Sequence, residues 1–175
     1  LKGVTANFLL HNVHRLDANE TVLIHAAAGG VGQLLVQWAK DIGATVIATV
    51  STDDKKRIVE GLGADHVIVY SRENFAEAVS RITGGRGADV IYDAVGKDTF
   101  AGSLEALAVR GHIVSFGQAS GPVGNWDVGR FASKSITLSR PNYGHYTSDP
   151  NELATHVGRF YSAVRRGALR LDEPT

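Results

Sequence analysis

The chain has 175 residues, with 18 Lys and Arg against 18 Asp and Glu, and it contains no Cys and no Met. This length suits one ordinary domain, and the lack of Cys excludes disulfides, thiolate zinc ligands and a cysteine nucleophile. The balanced charge argues against nucleic acid as a partner, and the sequence has neither a signal peptide nor an apolar run of 18 residues, so we expect no membrane partner and a cytoplasmic location.

The first 14 residues predict a helix that leads into the domain. The opening stretch LKGVTANFLL has the character of a chain interior, and the closing stretch GALRLDEPT stops where a strand-like run begins. We therefore expect residues 1–175 to be one domain excised from a longer protein.

Apolar strand candidates alternate with helical patterns along the rest of the chain. The predicted strands are Thr21–His25, Thr45–Val50, His66–Val69, Val90–Asp93, His112–Phe116 and one near Ser135–Ser139. The predicted helices are Val31–Ile42, Lys55–Leu62, Asn74–Ile82, Thr99–Ala108 and Asn151–Arg166, and the glycines placed just past helix ends are Gly43, Gly63, Gly84 and Gly111. Strands this apolar, joined by helices, predict an α/β fold: a doubly wound, mostly parallel six-stranded Rossmann-type sheet with helices on both faces.

A glycine cluster follows the first predicted strand and opens the first long helix. The six positions of the dinucleotide fingerprint G-x-G-x-x-G read Ala27-Ala28-Gly29-Gly30-Val31-Gly32, so Ala27 replaces the first glycine. Gly29 would let the backbone approach a pyrophosphate, and Gly32 would let the helix pack closely on the strand. A tight turn without a ligand is the alternative. A P-loop is disfavoured because no Lys-Ser/Thr follows, and a methyltransferase stays open although no carboxylate precedes the glycines.

The end of the second strand bears on the choice of dinucleotide. Val50 stands where NAD enzymes place a carboxylate for the ribose, and Ser51, Thr52 and then Lys55 follow. Hydroxyls and a lysine suit a 2′-phosphate better than a carboxylate does, which favours NADPH over NADH. Alternatively, Ser51 or Thr52 caps the helix and the basic residues form a solvated face. The two Asp residues after Thr52 keep NADH open.

Six segments together resemble the medium-chain dehydrogenase/reductase superfamily: LKGVTA, VLIHAAAGGVGQLLVQWAK, GATVIATVSTDDK, GADHVIVY, GADVIYDAVG and GHIVSFGQASGP. Within it they closely resemble the quinone oxidoreductase (zeta-crystallin-like) branch. The resemblance implies an NADPH-dependent, zinc-independent enzyme that transfers hydride from nicotinamide to a quinone or an α,β-unsaturated carbonyl compound. It also implies that residues 1–175 are the NAD(P)-binding domain, and that a GroES-like catalytic domain precedes them in a chain about twice as long.

The resemblance also implies which residues hold the cofactor. Ser51, Lys55 and Tyr70 match positions that grip the adenosine phosphate, and Thr5 matches a threonine near the nicotinamide and the phosphates. Tyr70 has a plain alternative as a strand-end aromatic residue. The other implied cofactor residues are the phosphate turn and two strand-end loops: Ala28, Gly29, Gly30, Val31, Gly32, Val95, Gly96, Phe116, Gly117 and Gln118. Phe116 is equally suited to the core, and the sequence identifies no catalytic acid or base.

Histidine spacing gives no sign of zinc in this chain. There is no His-x-x-x-His pair, and His25 lies on an apolar strand, where a core histidine is expected rather than a ligand. Three other functions stay open: an enoyl reductase, including the type found in polyketide synthases, a zinc-type alcohol dehydrogenase, and a non-catalytic dinucleotide-binding module. We expect a small-molecule substrate. We also expect a homodimer formed through the edge strand near Ser135–Ser139.

Overall fold

The computed structural model describes residues 1–171. The chain begins with helix α1 (Lys2–Phe8), which a π-helical turn (Leu9–Val13) continues, and two short 3-10 helices lie at Val128–Lys134 and Tyr143–Tyr146. The strands are β1 (Thr21–Ile24), β2 (Thr45–Val50), β3 (His66–Val69), β4 (Ala88–Asp93), β5 (Leu107–Ser115) and β6 (Thr137–Ser139). The other helices are α2 (Gly30–Ile42), α3 (Asp53–Gly61), α4 (Phe75–Ile82), α5 (Phe100–Ala106) and α6 (Pro150–Arg165).

The six strands form one parallel sheet in the order β3-β2-β1-β4-β5-β6. The chain winds outward from β1 to β3 and then returns to β4, next to β1, so the winding direction reverses between β1 and β4. Ligands of open α/β sheets bind beyond the carboxyl ends of the strands at such a switch point. The predicted doubly wound fold is confirmed, and the strand predicted near Ser135–Ser139 does lie at the sheet edge.

Both faces of the sheet are covered by helices. Val22 and Val46 point to the face that carries α1, α2 and α6, whereas Leu23 and Ile47, one residue further along each strand, point to the face that carries α4 and α5. Each of these four side chains is fully buried. Burial on both faces explains why the strands read as continuous apolar runs rather than as alternating ones.

Local capping sets the helix bounds. The Thr52 hydroxyl accepts a hydrogen bond from the Lys55 N–H (3.4 Å) at the start of α3, and Asp149 caps α6 just before Pro150. The backbone after α2 enters the left-handed region at Gly43 (φ 102°), as predicted; Gly63 and Gly84 do the same. None of the described helices combines the length and apolarity needed to cross a membrane.

The predicted helix Thr99–Ala108 and the predicted role of Gly111 are wrong in part. Helix α5 ends at Ala106, because Leu107 turns to extended backbone and pairs with Ala88 of β4. The apolar spacing fits a helix, but Leu107 is buried against the core beneath α4 and α5. Gly111 lies inside β5 without a positive φ, and Arg110 takes the left-handed conformation instead (φ 63°). The strand then ends at Ser115, one residue before the predicted end.

Candidate functional site

The glycine turn between β1 and α2 is shaped by close backbone contacts. The Gly29 N–H donates to the Ala26 carbonyl (2.9 Å), and Ala26 itself takes the left-handed conformation (φ 51°), which is rare for alanine. A Cβ at Gly32 would lie 2.5 Å from the Ala26 oxygen and 2.8 Å from the Ala27 Cα, so the helix can approach the strand only with glycine there. The packing role predicted for Gly32 fits this geometry, whereas alanine gives no sequence signal for the strained turn at Ala26.

The N-terminus of α2 carries positive charge. Gly29 is its N-cap, and within the described residues no side chain caps the helix and no acidic residue lies in its first turn. The Lys2 side chain lies against this end: a Cβ at Gly30 would be 2.6 Å from the Lys2 Nζ. A cation at a helix N-terminus is unfavourable because it meets the positive end of the helix dipole. The arrangement therefore favours an anion at this point, and no motif in the sequence singled out Lys2.

A cavity of about 150 Å³ brings together predicted residues from four separate segments. Its lining combines the glycine turn with the ends of β2, β3 and β4, which meet at one edge of the sheet. The predicted site residues among its lining are Ala28, Gly29, Ser51, Lys55, Tyr70 and Val95. Residues more than 60 positions apart in the chain thus share one concave surface at the carboxyl ends of the strands.

Hydrogen bonds around this cavity leave Lys55 facing Ser51. The Lys55 ammonium donates to the Ser51 hydroxyl (3.3 Å), and within residues 1–171 no carboxylate lies within 4 Å of it. The neighbouring carboxylates are engaged elsewhere, since Asp53 pairs with Arg72 and Asp54 pairs with Arg57. Thr52, not Ser51, caps α3, so the capping alternative accounts for Thr52 and leaves Ser51 and Lys55 available to a ligand.

A larger cavity of about 670 Å³ adjoins the small one and lies between α4 and α5. Tyr70 and Val95 line both cavities, and the ring of Phe75 and the hydroxyl-bearing Thr99 line only the larger one. The Tyr70 side chain is half exposed. Its hydroxyl makes no hydrogen bond to any described residue and is therefore available to a ligand. Phe75 and Thr99 were missed because the sequence places them in ordinary helix starts.

The loop after β4 is organised by a buried carboxylate. Asp93 accepts hydrogen bonds from the Val95 N–H (2.7 Å), the Gly96 N–H (3.1 Å) and the Thr99 hydroxyl (2.9 Å). Gly96 has φ 91°, and a Cβ there would lie 2.7 Å from the Gly121 oxygen. Asp93 thus fixes the two loop residues predicted to line the site. An acid at the end of a buried strand was the signal for it.

The loop after β5 packs directly on the loop after β4. The N–H groups of Phe116 and Gly117 both donate to the Asp93 carbonyl (2.9 and 3.2 Å), and a Cβ at Gly117 would lie 2.5 Å from the Ala94 oxygen. Phe116 is partly buried and packs against the core on the α1 side. Phe116 can therefore belong to the core and also line the cofactor site. Gln118 follows Gly117 and is exposed.

The remaining predicted residues lie on helices at the same end of the sheet. Thr5 stands one turn after Lys2 on α1, and its hydroxyl donates to the Leu1 carbonyl (3.0 Å). Gly30 and Val31 form the first turn of α2. None of these three lines the cavity of about 150 Å³. Their roles toward a ligand stay predictions.

His25 is a satisfied core residue. Its Nδ1 bonds the Thr49 hydroxyl (2.9 Å), its Nε2 bonds the Ser103 hydroxyl (3.0 Å), and its ring meets Phe75 edge-on. Burial lowers the pKa of His25 to about 4, while the Asp93 carboxylate opposes that shift. The ring is therefore neutral near pH 7 and packs in the core, as predicted.

The described residues do not fit a zinc site. Within residues 1–171, no three His, Asp or Glu side chains lie close enough together to hold a metal ion, and the chain has no Cys. Structural zinc takes four ligands and catalytic zinc takes three, mostly Cys and His.

Comparison with known proteins gives consistent matches. Residues 30–161 match the family of zinc-binding dehydrogenases. A 2-haloacrylate reductase of a Burkholderia species is 44% identical over 173 residues, covering 97% of this chain and 51% of the relative. A quinone oxidoreductase of Pseudomonas aeruginosa is 43% identical over 173 residues, covering 98% and 53%. The crystal structure of Escherichia coli quinone oxidoreductase complexed with NADPH superposes with a TM-score of 0.95 at 39% identity, covering 99% of this chain and 54% of that one.

The chain therefore spans about half the length of these curated relatives. The two relatives and the solved structure match 97–99% of this chain. The expectation of a longer protein with a GroES-like domain stays a prediction.

Proposed function

Because this chain belongs to the zinc-binding dehydrogenase family, on the quinone oxidoreductase branch of the medium-chain dehydrogenases/reductases, we propose that it binds NADPH for zinc-independent reduction of a quinone or an α,β-unsaturated carbonyl compound. One observation carries the proposal: the cavity at the glycine turn unites Ser51, Lys55 and Tyr70 with the backbone of Ala28 and Gly29. The E. coli quinone oxidoreductase complexed with NADPH, which shares the fold, supports the choice of cofactor.

The glycine turn would hold the pyrophosphate. Gly30, Val31 and Gly32 form the first turn of α2, whose N–H groups have no partner within the helix. These groups and the helix dipole favour an anion, and Gly29 keeps the approach free of a side chain. The Lys2 ammonium adds a full positive charge beside Gly30. A pyrophosphate placed there would remove the unfavourable meeting of Lys2 with the helix N-terminus.

The cavity beside it would hold the adenosine and its 2′-phosphate. Lys55 supplies charge without a competing carboxylate among the described residues, while Ser51 and Tyr70 supply hydroxyl donors. A phosphate accepts such charge-assisted hydrogen bonds well, whereas the ribose diol of NADH gains little from a lysine. Asp53 and Asp54 are both paired with arginines, so neither carboxylate is free to bind the ribose of NADH, which also favours NADPH.

The nicotinamide half would then lie on the β4 and β5 side of the switch point. Bound NADPH supplies the hydride, and the protein supplies binding, orientation and electrostatics. Gly96, fixed by Asp93, and the loop of Phe116, Gly117 and Gln118 would line this half of the site and exclude water. Val95, which lines the adenosine cavity, would lie between the two halves. Alignment of well-placed reactants contributes up to about 7–11 kcal/mol to lowering such a barrier.

Titration of the intact protein with NADPH and NADH tests the proposal, and Lys55→Ala is the decisive variant. We expect wild type to prefer NADPH, and Lys55→Ala to weaken NADPH binding about tenfold or more while leaving NADH unchanged. Lys56→Ala is the matched control, because Lys56 pairs with Glu60 (3.7 Å) instead of lining the cavity. Equal affinity of wild type for the two cofactors would overturn the phosphate assignment.

We further propose a homodimer that forms through β6. This strand lies at the sheet edge, and Leu138 at its centre is 42% exposed. An edge strand offers unpaired backbone groups to a second copy. Extension of the sheet across two subunits would pair those groups and cover Leu138.

A further inference from the structure

Arg140 follows the edge strand β6 directly and holds the loop after β5 by three hydrogen bonds. Its Nη1 donates to the Ser115 carbonyl (2.9 Å), the Gly117 carbonyl (2.9 Å) and the Ser115 hydroxyl (3.3 Å). Ser115 is buried as the last residue of β5. Within residues 1–171 no carboxylate pairs with Arg140, so the guanidinium is committed to this loop.

The contact with Gly117 fixes the orientation of one peptide group. A trans peptide points its carbonyl and the following N–H in opposite directions. Because the Gly117 carbonyl faces Arg140, the Gln118 N–H must face away from Arg140. No described residue accepts a hydrogen bond from that N–H, whereas the N–H groups of Phe116 and Gly117 are both bound by Asp93. Gln118 therefore presents a donor whose direction Arg140 sets.

The sheet order indicates which part of the cofactor meets this loop. The adenosine cavity lies at the ends of β2 and β3 and reaches Val95 after β4, the glycine turn follows β1, and the loop after β5 lies beyond β4 on the other side of β1. A dinucleotide whose pyrophosphate lies on the glycine turn extends its adenosine half toward β2 and β3 and its other half toward the opposite side of β1. The nicotinamide half is thereby directed toward β4 and β5.

We propose that Arg140 is a positioning residue for the nicotinamide half of the cofactor, acting through the orientation of the Gly117–Gln118 peptide. This inference rests on the proposed function. Arg140 does not touch the adenosine cavity, so its effect is confined to ligands that carry the nicotinamide half. Its place next to β6 also joins this loop to the edge strand.

The test compares two ligands on the intact protein: NADPH, and adenosine 2′,5′-bisphosphate, which lacks the nicotinamide half. We expect Arg140→Met to weaken NADPH binding about fivefold to tenfold and the bisphosphate less than twofold, because charge-assisted hydrogen bonds to the loop are lost. Arg140→Lys keeps a cation and should give an intermediate loss for NADPH alone. If Arg140→Met does not fold, Arg140→Lys carries the same comparison.

Lys134→Met is the matched control. The Lys134 ammonium donates to the carbonyls of Glu105 and Leu107 (both 2.7 Å) at the end of α5, so its loss also frees backbone acceptors but leaves the loop after β5 intact. We expect a lower melting temperature and an unchanged ratio of the two affinities. Equal weakening of both ligands by Arg140→Met, or no weakening, overturns the inference while the proposed function stands. Wild type that binds neither ligand overturns both.

Discussion

Replacement of Gly32 by Ala adds one methyl group where α2 packs closely on the turn that follows β1. The new Cβ would lie 2.5 Å from the Ala26 oxygen and 2.8 Å from both the Cα and the oxygen of Ala27. The nearest of these contacts is about 1 Å shorter than a normal nonbonded distance. All three atoms belong to the backbone, so no side-chain rotation relieves the overlap and the helix must move. Overpacking of this kind costs about 1–3 kcal/mol in the free energy of unfolding.

The same displacement moves the N–H groups that would hold the pyrophosphate. A shift approaching 1 Å lengthens a hydrogen bond of about 2.9 Å beyond its useful range. We therefore expect Gly32→Ala to lower NADPH affinity about tenfold or more, since each hydrogen bond to a charged group contributes about 1.5–3 kcal/mol. Urea unfolding measures the stability change, and fluorescence titration with NADPH measures the affinity.

Gly158→Ala is the control for this substitution. Gly158 lies inside α6, and a Cβ there meets nothing within 4 Å. Alanine should stabilise that helix by about 1 kcal/mol and leave NADPH affinity unchanged. A Gly32→Ala variant that is as stable as wild type and binds NADPH equally well would rule out both the steric contact and its effect on the cofactor.

Three further perturbations have defined outcomes. Lys2→Met should weaken the binding of NADPH and of NADH by the same factor, about threefold to tenfold, because Lys2 faces the pyrophosphate site that both cofactors share. In the same titration Lys2→Arg should retain affinity. A loss of affinity confined to NADPH would contradict this placement of Lys2. Burial lowers the pKa of His25 to about 4, so the unfolded chain binds the proton more readily, and the free energy of unfolding should fall between pH 7 and pH 4 by up to about 3 kcal/mol. Burial and the neighbouring His14 also lower the pKa of His112 to about 4, so His112 acts in the same direction. Urea unfolding of His25→Gln across this range should show a shallower dependence of the free energy of unfolding on pH. An unchanged pH dependence would exclude His25 as a cause. Leu138→Lys should raise the dissociation constant of the dimer about tenfold or more, measured by analytical ultracentrifugation, because it places a charge on the exposed edge strand. A wild-type protein that is monomeric at micromolar concentration would rule out the dimer.

The strands that the sequence located well are those buried on both faces. Thr45–Val50 and His66–Val69 agree with the structure at both ends, because an apolar run bounded by glycine or polar residues has few other solutions in a parallel sheet. The start of β5 was misplaced, since Leu104, Leu107 and Ala108 have a spacing that suits a helix. Burial of Leu107 in the core decides in favour of the strand, and that is a tertiary effect which local pattern does not contain.

The candidate site divides in the same way. Ser51 and Lys55 follow the second strand, and their hydroxyl and ammonium groups were enough to favour a 2′-phosphate there. Tyr70 entered the prediction only through the family resemblance. Lys2 and Arg140 act from segments outside that pattern. Their contacts with Gly30 and Gly117 depend on how α1 and β6 pack on the sheet, and no residue-type signal marks either side chain in advance.

A crystal structure of the intact protein with NADPH would locate the bound dinucleotide relative to the glycine turn. We expect pyrophosphate oxygens within about 3 Å of the N–H groups of Val31 and Gly32, with the 2′-phosphate beside Ser51 and Lys55. A structure at saturating NADPH that shows the dinucleotide elsewhere, or the glycine turn without it, would contradict the account.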